Sequence, residues 1–397
     1  MGRELGAEGL GKINLIALIL ATCNLFLNLG IGQSLVFFNS KKPQPSTILN
    51  SLAITLLISV FSVTLFFFNI EIIINYLSNI PVAWVYSLII ISPFIHLKNL
   101  AEYYYASVGN FLLNSGLNFA DLFLKLGLSY FLIFFFPILD AFYYSIILIS
   151  ILIGLLPWVK ILSGIKLVQS LGDLKLSTMG SLLKYGIPSY LSVLVAFLSL
   201  RIDQLLVGKF MTNKDLGIYI VAVILAELPF KLSNAITKVL FAKISSKAEF
   251  SSNFTTKSLR LILLISGLLI IGILFFGDYL IKSLYGNHFS DVYPILILLL
   301  PGSFFFNITQ ILSSDLSGRG YPSYGMKSGV IVLILSFAFN LIFIPKFGLM
   351  GVAIISSFTY IIGAITMIFY FSKLTRVSHK EIFFLKKSDF KFNFSEE

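Results

Sequence analysis

Several charged residues of this chain stand where charge is costly, inside long apolar runs. Asp121 and Lys125 are four apart on one run, and Glu227 and Lys231 are four apart on another, with Pro229 between them. Arg201 and Asp203 lie toward the end of a third run, and Lys238 lies deep in the run that holds Glu227. An ionised side chain at membrane depth is expensive to keep and normally marks a transport pathway or ion site. The chemistry open to Lys125, Arg201, Lys231 and Lys238 is charge-assisted binding of phosphate oxygens. Asp121, Asp203 and Glu227 could hold a coupling proton or cation, or balance the cations beside them. Pro229 lacks an N–H and would bend or hinge its helix. A second reading stays open, in which each i,i+4 pair neutralises itself within its own helix. Three of the cations are matched by the three carboxylates, so only Lys238, with Lys209, tips the balance toward a cationic pocket.

No enzyme constellation competes with these residues. The sequence has no Ser/His/Asp arrangement, no carboxylate pair in a polar loop, and no glycine loop ending in Lys-Ser/Thr. His96, His288 and His379 are scattered without metal-ligand spacing, so neither a metal nor a cofactor is expected. The single cysteine, Cys23, lies in an apolar run and reads as a small buried hydrophobe. Tyr103, Tyr104 and Tyr105 read as an interfacial aromatic belt, with sugar stacking as the alternative.

The elements that must position these residues follow from composition. Of 397 residues, 57% are apolar and only 12% charged, and mean hydropathy is +0.93. Soluble domains carry about a quarter charged residues, so this is an all-α polytopic membrane protein. Its partner is the lipid bilayer, and nucleic acid is excluded although the net charge is +11, because no folded soluble surface concentrates the Lys and Arg. Apolar runs bounded by charge or by Gly, Pro and Asn predict about eleven spans of roughly 20 residues or more: 13–38, 47–70, 82–108, 111–135, 140–165, 184–207, 215–243, 256–281, 289–314, 323–345 and 347–373. Backbone polar groups in hydrocarbon must pair internally, which makes these helices.

Most of the 29 Lys and Arg then fall on one side, including Lys41, Lys42, Lys98, Lys160, Lys175, Lys257 and the tail lysines. Positive residues favour the cytoplasm, so the C-terminus is expected there and the N-terminus outside. The helices starting near 13, 47, 82, 111 and 140 are answered by those starting near 215, 256, 289, 323 and 347. Locally, Leu10-Gly11-Lys12-Ile13 matches Leu216-Gly217-Ile218-Tyr219. An internal repeat of this kind is common in transporters. It leaves helix 184–207 unmatched, as if one helix were missing ahead of residue 1. The expected organisation is an N-terminal lobe 1–165, a linker 166–183, a C-terminal lobe 184–373 and a basic cytoplasmic tail 374–397.

Short motifs give the same order. Arg3-Glu4-Leu5-Gly6-Ala7-Glu8-Gly9-Leu10-Gly11, Leu29-Gly30-Ile31-Gly32, Tyr185-Gly186-Ile187-Pro188, Arg201-Ile202-Asp203 and Gly217-Ile218-Tyr219 come first. Leu284-Tyr285-Gly286, Gly318-Arg319-Gly320, Asn340 to Pro345 and Gly348 to Ala353 follow. This series resembles the multidrug/oligosaccharidyl-lipid/polysaccharide exporter superfamily, in its polysaccharide-transporter branch that includes the O-antigen flippases. Arg3 to Gly11 looks like that family's loop after its first helix, which this chain would lack. The resemblance implies a MATE-like fold of five plus six helices in two lobes around a central cavity. It also implies a flippase that carries undecaprenyl-pyrophosphate-linked oligosaccharide repeats across the bacterial cytoplasmic membrane, for O-antigen, lipopolysaccharide or capsule synthesis. Other polysaccharide-assembly membrane proteins would be its partners. The rivals are a drug/cation antiporter of the same fold, a membrane-embedded polymerase and an inactive scaffold.

Overall fold

The computed structural model of the protein describes residues 2–41, 43–71, 74, 82–164, 174–246, 252–383, 386 and 389, and every structural statement concerns these. Their regular structure is entirely helical. Helices occupy all eleven expected spans, and two of the spans are divided. The 13–38 span is split between α1 (Gly2–Leu27) and α2 (Ile31–Lys41). Next come α3 (Pro45–Phe68), α4 (Val82–Ser107), α5 (Phe111–Leu132), α6 (Ile138–Ser163) and α7 (Leu176–Phe210). The 215–243 span is split between α8 (Asn213–Ala226) and α9 (Leu228–Ser246). They are followed by α10 (Ser252–Tyr285), α11 (Val292–Gly318), α12 (Ser323–Thr375) and the short α13 (His379–Phe383).

Seven of these helices are long and apolar enough to cross a bilayer, by length and composition. One of them, the 53-residue α12, is two spans joined at a kink at Gly348, where φ is 56° and ψ −143°. Large apolar side chains stand open on the helix faces, with Leu112 84%, Phe68 80% and Phe275 80% exposed. Water would not tolerate so much contiguous apolar surface on a soluble protein, and lipid requires it.

The departures from expectation have local causes. The 13–38 span breaks at Asn28–Gly30 because Leu29 and Gly30 take positive φ, 50° and 74°, and end the helical ladder. The opening segment is not a loop: it is helical from Gly2, interrupted only at Gly6 with φ 65° and ψ 179°. Residues 166–173 of the expected linker lie outside the described residues, and from Leu176 onward the rest is already α7. Lys98, counted by sequence among the cytoplasmic-side cations, sits inside α4. Tyr103–Tyr105 face the bundle, since Tyr105 is buried and the Tyr103 ring fills the space above Gly32.

The chain forms two compact units, residues 12–194 and residues 1–11 with 195–397. The boundary between them therefore falls inside α7, whereas the sequence placed it in the linker. In the first unit α2, α3 and α4 pack on one another, and α4, α5 and α6 do the same. Ile31, Leu35, Leu100, Ala101, Trp158 and Leu182 belong to its core, and the Trp158 indole donates to the Leu97 carbonyl at 2.9 Å. In the second unit α9, α10 and α11 pack on one another, and α11 packs on α12. The same pairing order thus recurs in the two units, as a repeat requires. The second core includes Leu259, Ile311, Leu312, Met367, Phe371 and Ile382.

Two glycine crossings set backbone against backbone. A Cβ at Gly217 would lie 1.9 Å from the Ala7 carbonyl oxygen, and one at Gly11 would lie 1.7 Å from that of Asn213. The matched Leu-Gly pairs of the sequence repeat are therefore one contact seen from both sides. In the other unit, Gly30 meets Gly186, where a Cβ on Gly30 would sit 2.1 Å from the Gly186 carbonyl oxygen. The neighbouring Ser34 hydroxyl donates to the Leu182 carbonyl at 2.5 Å. Apolar helices gain little by associating in lipid, so close backbone approach of this kind carries the packing.

Asp389 and α13 dock on α10. Arg260 Nε and Nη2 donate to the Asp389 carboxylate at 2.7 and 2.6 Å, and its Nη1 donates to the Glu381 carbonyl. Both charged side chains are buried, 4% and 1% exposed. The Arg260 fork holds the Asp389 carboxyl below the usual carboxylate range, outweighing the opposite pull of burial.

Two predictions follow from this packing. Gly217→Val should lower the thermal midpoint in detergent by many degrees, a cost of about 3 kcal/mol or more. Gly116→Ala, where nothing lies within 4 Å of an added Cβ, should leave the midpoint unchanged or slightly raised; equal tolerance at both positions would contradict the crossing. A depressed Asp389 pKa contributes stability that is present above the unfolded value and lost as pH falls through the folded one. Proteolytic protection of residues 376–389 should therefore be the same at pH 5.5 and pH 8 in the wild type and absent at both in Asp389→Asn.

Candidate functional site

In the second unit, α7 delivers Arg201 and Asp203 side by side, and they meet different partners. Asp203 is 4% exposed. Its carboxylate accepts from the Tyr219 hydroxyl at 2.6 Å, the Ser356 hydroxyl at 2.9 Å and the Gln204 amide at 2.7 Å. Three donors solvate it in place of water, which is how a buried carboxylate is kept without a cation at bonding distance. Tyr219 rides on α8, whose first turn is fixed by a capping box: the Thr212 hydroxyl accepts from the Asp215 amide at 3.2 Å and the Asp215 carboxylate accepts from the Thr212 amide at 3.1 Å.

Arg201 reaches across to Glu227, with Nη1 to Oε1 at 2.6 Å. Glu227 is the residue at which the 215–243 span divides. Pro229 has no N–H to engage the Leu225 carbonyl one turn below, while the Glu227 amide keeps the helical bond to the Val223 carbonyl at 2.8 Å. Glu227, at the division between α8 and α9, keeps helical angles (φ −76°, ψ −16°), and its carboxylate meets Arg201. The pairing expected from spacing, Glu227 with Lys231, is not formed. Lys231 is exposed and has no acidic partner among the described residues. The Lys238 side chain lies outside the described residues.

In the first unit the expected pair is present and belongs to a larger group. Lys125 Nζ lies 2.7 Å from Asp121 Oδ1, and Lys98 Nζ of α4 lies 2.7 Å from Asp121 Oδ2. Lys98 also approaches Glu102 at 3.5 Å. Two cations and two carboxylates close on one another across α4 and α5, so spacing identified half of the group. Lys98 and Glu102 lie on a different helix from Asp121 and Lys125, so spacing along one helix does not join them. Tyr219 stood in the quoted Gly217-Ile218-Tyr219, whereas Ser356 carries no signal in the sequence.

Comparison with solved structures finds the same helical architecture elsewhere. An inward-facing multidrug resistance MATE family transporter of the MOP superfamily matches with a TM-score of 0.75 at 15% identity, covering 94% of this chain and 91% of that one. The lipid II flippase MurJ, in an inward closed conformation, also matches with a TM-score of 0.75, at 17% identity, covering 94% of this chain and 88% of its own. At these identities the likeness establishes the fold, a MATE-like all-α membrane protein.

The chain belongs to the polysaccharide biosynthesis protein family, whose model matches residues 1–294. Among curated proteins it is 24% identical over 221 residues to the probable low-salt glycan biosynthesis flippase Agl15 of Haloferax volcanii, covering 53% of this chain and 46% of that protein. It is 23% identical over 194 residues to the capsular polysaccharide biosynthesis protein CapF of Staphylococcus aureus, covering 47% and 49%. The match spans about half the length of each relative.

Since Arg201 and Glu227 are both half-buried or better, removing one leaves the other unanswered, at a cost of about 3 kcal/mol. Arg201→Met and Glu227→Leu should each destabilise the protein more than the double substitution does, as read from thermal midpoints in detergent. Additive losses would mean that the pair is not coupled.

Proposed function

We propose that this protein is a flippase that carries a polyprenyl-pyrophosphate-linked oligosaccharide from the cytoplasmic to the outer leaflet of the cell membrane. Its membership of a polysaccharide biosynthesis family over residues 1–294 is the observation that carries this reading. The likeness of fold to a lipid II flippase and the partial match to a probable glycan flippase support it. Undecaprenyl is the expected lipid, a surface polysaccharide such as capsule or O-antigen the expected product, and a cytoplasmic C-terminus the expected orientation. Two repeated helical units suit alternating access, with the sugar head crossing through polar surroundings while the tail stays in lipid.

The charges divide into roles on this reading. Arg201–Glu227 and the Lys98/Asp121/Lys125/Glu102 group are internally neutral. Each would engage a pyrophosphate only by giving up an internal partner, which makes them switches between a closed and a loaded state. Lys231, exposed one turn after Glu227 and without an acidic partner among the described residues, would meet substrate first. The drug/cation antiporter remains a second reading, favoured by Asp203, a buried carboxylate held by hydroxyls.

In a strain lacking its own flippase, the wild type should restore surface polysaccharide, while Arg201→Ala and Lys231→Ala should each reduce it severalfold at equal expression. Full restoration by both variants would remove these residues from the pathway. Restored drug resistance with no surface polysaccharide would favour the antiporter.

A further inference from the structure

Within the second unit, α9 and α11 meet through two neighbouring pairs of polar side chains, and the pairs differ in what they leave open. In the first, the Ser233 hydroxyl donates to the Asn307 carboxamide oxygen, and the Asn307 amide donates to the Ser303 and Phe304 carbonyls at 3.2 and 3.0 Å. Both side chains are fully buried, and both ends of the Asn307 carboxamide are answered. Such a pair joins two helices and has nothing left to offer a ligand.

The second pair occupies the adjoining positions. Gln310 Nε2 donates to Asn234 Oδ1 at 2.9 Å. Asn234 is exposed, however, and its Nδ2 makes no hydrogen bond among the described residues. Gln310 Oε1, shut away from solvent, has no partner there either. Turning both carboxamides over would change which atoms pair and would still leave one end of each unanswered. An enclosed acceptor without a donor is costly, and the cost is relieved when the side chain swings out to meet one.

The surroundings say what this pair can meet. Lys231 stands exposed one turn before Asn234 on the same helix. Hydrocarbon cannot answer a lysine or an open carboxamide. α9 packs on α10 and α11, which are long and apolar enough to cross a bilayer, whereas α9 itself is not. The apolar side of α9, with Leu240 and Ile244, is committed to the core. Lys231 and Asn234 therefore face water or a polar ligand.

We infer that Asn234 and Gln310 bind the hydroxyl groups of a saccharide head. On the flippase reading, on which this rests, they lie one turn or so beyond the lysine that would meet the pyrophosphate of the same substrate. A carboxamide presents a donor and an acceptor in one rigid plane, and adjacent ring hydroxyls of a sugar can each donate and accept. A phosphate has no use for the Gln310 acceptor. A metal cation would be repelled by Lys231, and α9 carries no carboxylate to hold it.

The test uses the full chain, purified in detergent. Binding of a short-chain polyprenyl pyrophosphate is compared with that of the same lipid carrying a hexose or an N-acetylhexosamine. At least one saccharide form should bind about tenfold tighter than the bare lipid, as expected for two or so hydrogen bonds. Asn234→Leu with Gln310→Leu should abolish that advantage and leave bare-lipid affinity within about twofold of wild type, and each single change should remove part of it. Lys231→Ala should weaken all three lipids alike. A pair that merely joined α9 to α11 would instead lower the thermal midpoint and leave the ratio of affinities untouched. No saccharide advantage in the wild type, or an advantage kept in the folded variants, would overturn the assignment while bare-lipid binding upheld the flippase reading. Failure to bind any of the three lipids would remove both.

Discussion

A charge taken out of water must be answered by an opposite charge or by hydrogen-bond donors, and much of this protein's interior is organised around that requirement. Asp203 is answered by two hydroxyls and an amide, Arg201 by Glu227 across a helix interruption, and Asp121 by lysines from two helices. Arg260 is answered by Asp389, 129 positions away, which fixes Asp389 against α10. These are different solutions to one constraint, and they differ in what they leave available. Asp203 is closed off by its own donors, whereas Arg201 and Lys125 are held by partners that another anion could replace.

The answering of charge depends in turn on close packing of helices that have little hydrophobic reason to associate in lipid. Gly11 against Gly217 and Gly30 against Gly186 bring backbones within van der Waals reach. The first crossing seats the start of α1 on α8, the helix that carries Tyr219 to Asp203. The second fixes the break between α1 and α2 against α7, the helix whose later residues are Arg201 and Asp203. Motif glycines and charged residues are thus one design: the glycines set where helices meet, and the charges sit on the helices so placed.

The eleven spans were legible because apolar runs of sufficient length have one stable form in a bilayer. The interruptions were less so. Pro229 announces the division at Glu227, but Leu29 gives no local sign that it will take φ of 50°. Spacing along a helix found Asp121 with Lys125 and wrongly paired Glu227 with Lys231, because i,i+4 proximity is local while Arg201 lies on another helix. Ser356 could not be found at all, since a serine becomes a carboxylate's donor only when folding brings it there. The segment 374–397 read as a basic cytoplasmic tail, and the docking of its described part rests on Asp389 and Ile382, one acid and one apolar residue among lysines.

The proposed function is movement of a pyrophosphate-linked saccharide between leaflets. The most direct measurement is translocation by the purified protein in proteoliposomes. A fluorescent polyprenyl-pyrophosphate saccharide would be placed in the leaflet corresponding to the cytoplasmic side, and its exposure on the other side read by a membrane-impermeant quencher. The account predicts protein-dependent exposure well above that of empty liposomes, lost when Arg201 and Lys231 are both replaced by alanine. Exposure no faster than in protein-free liposomes, with the protein folded and correctly oriented, would contradict it.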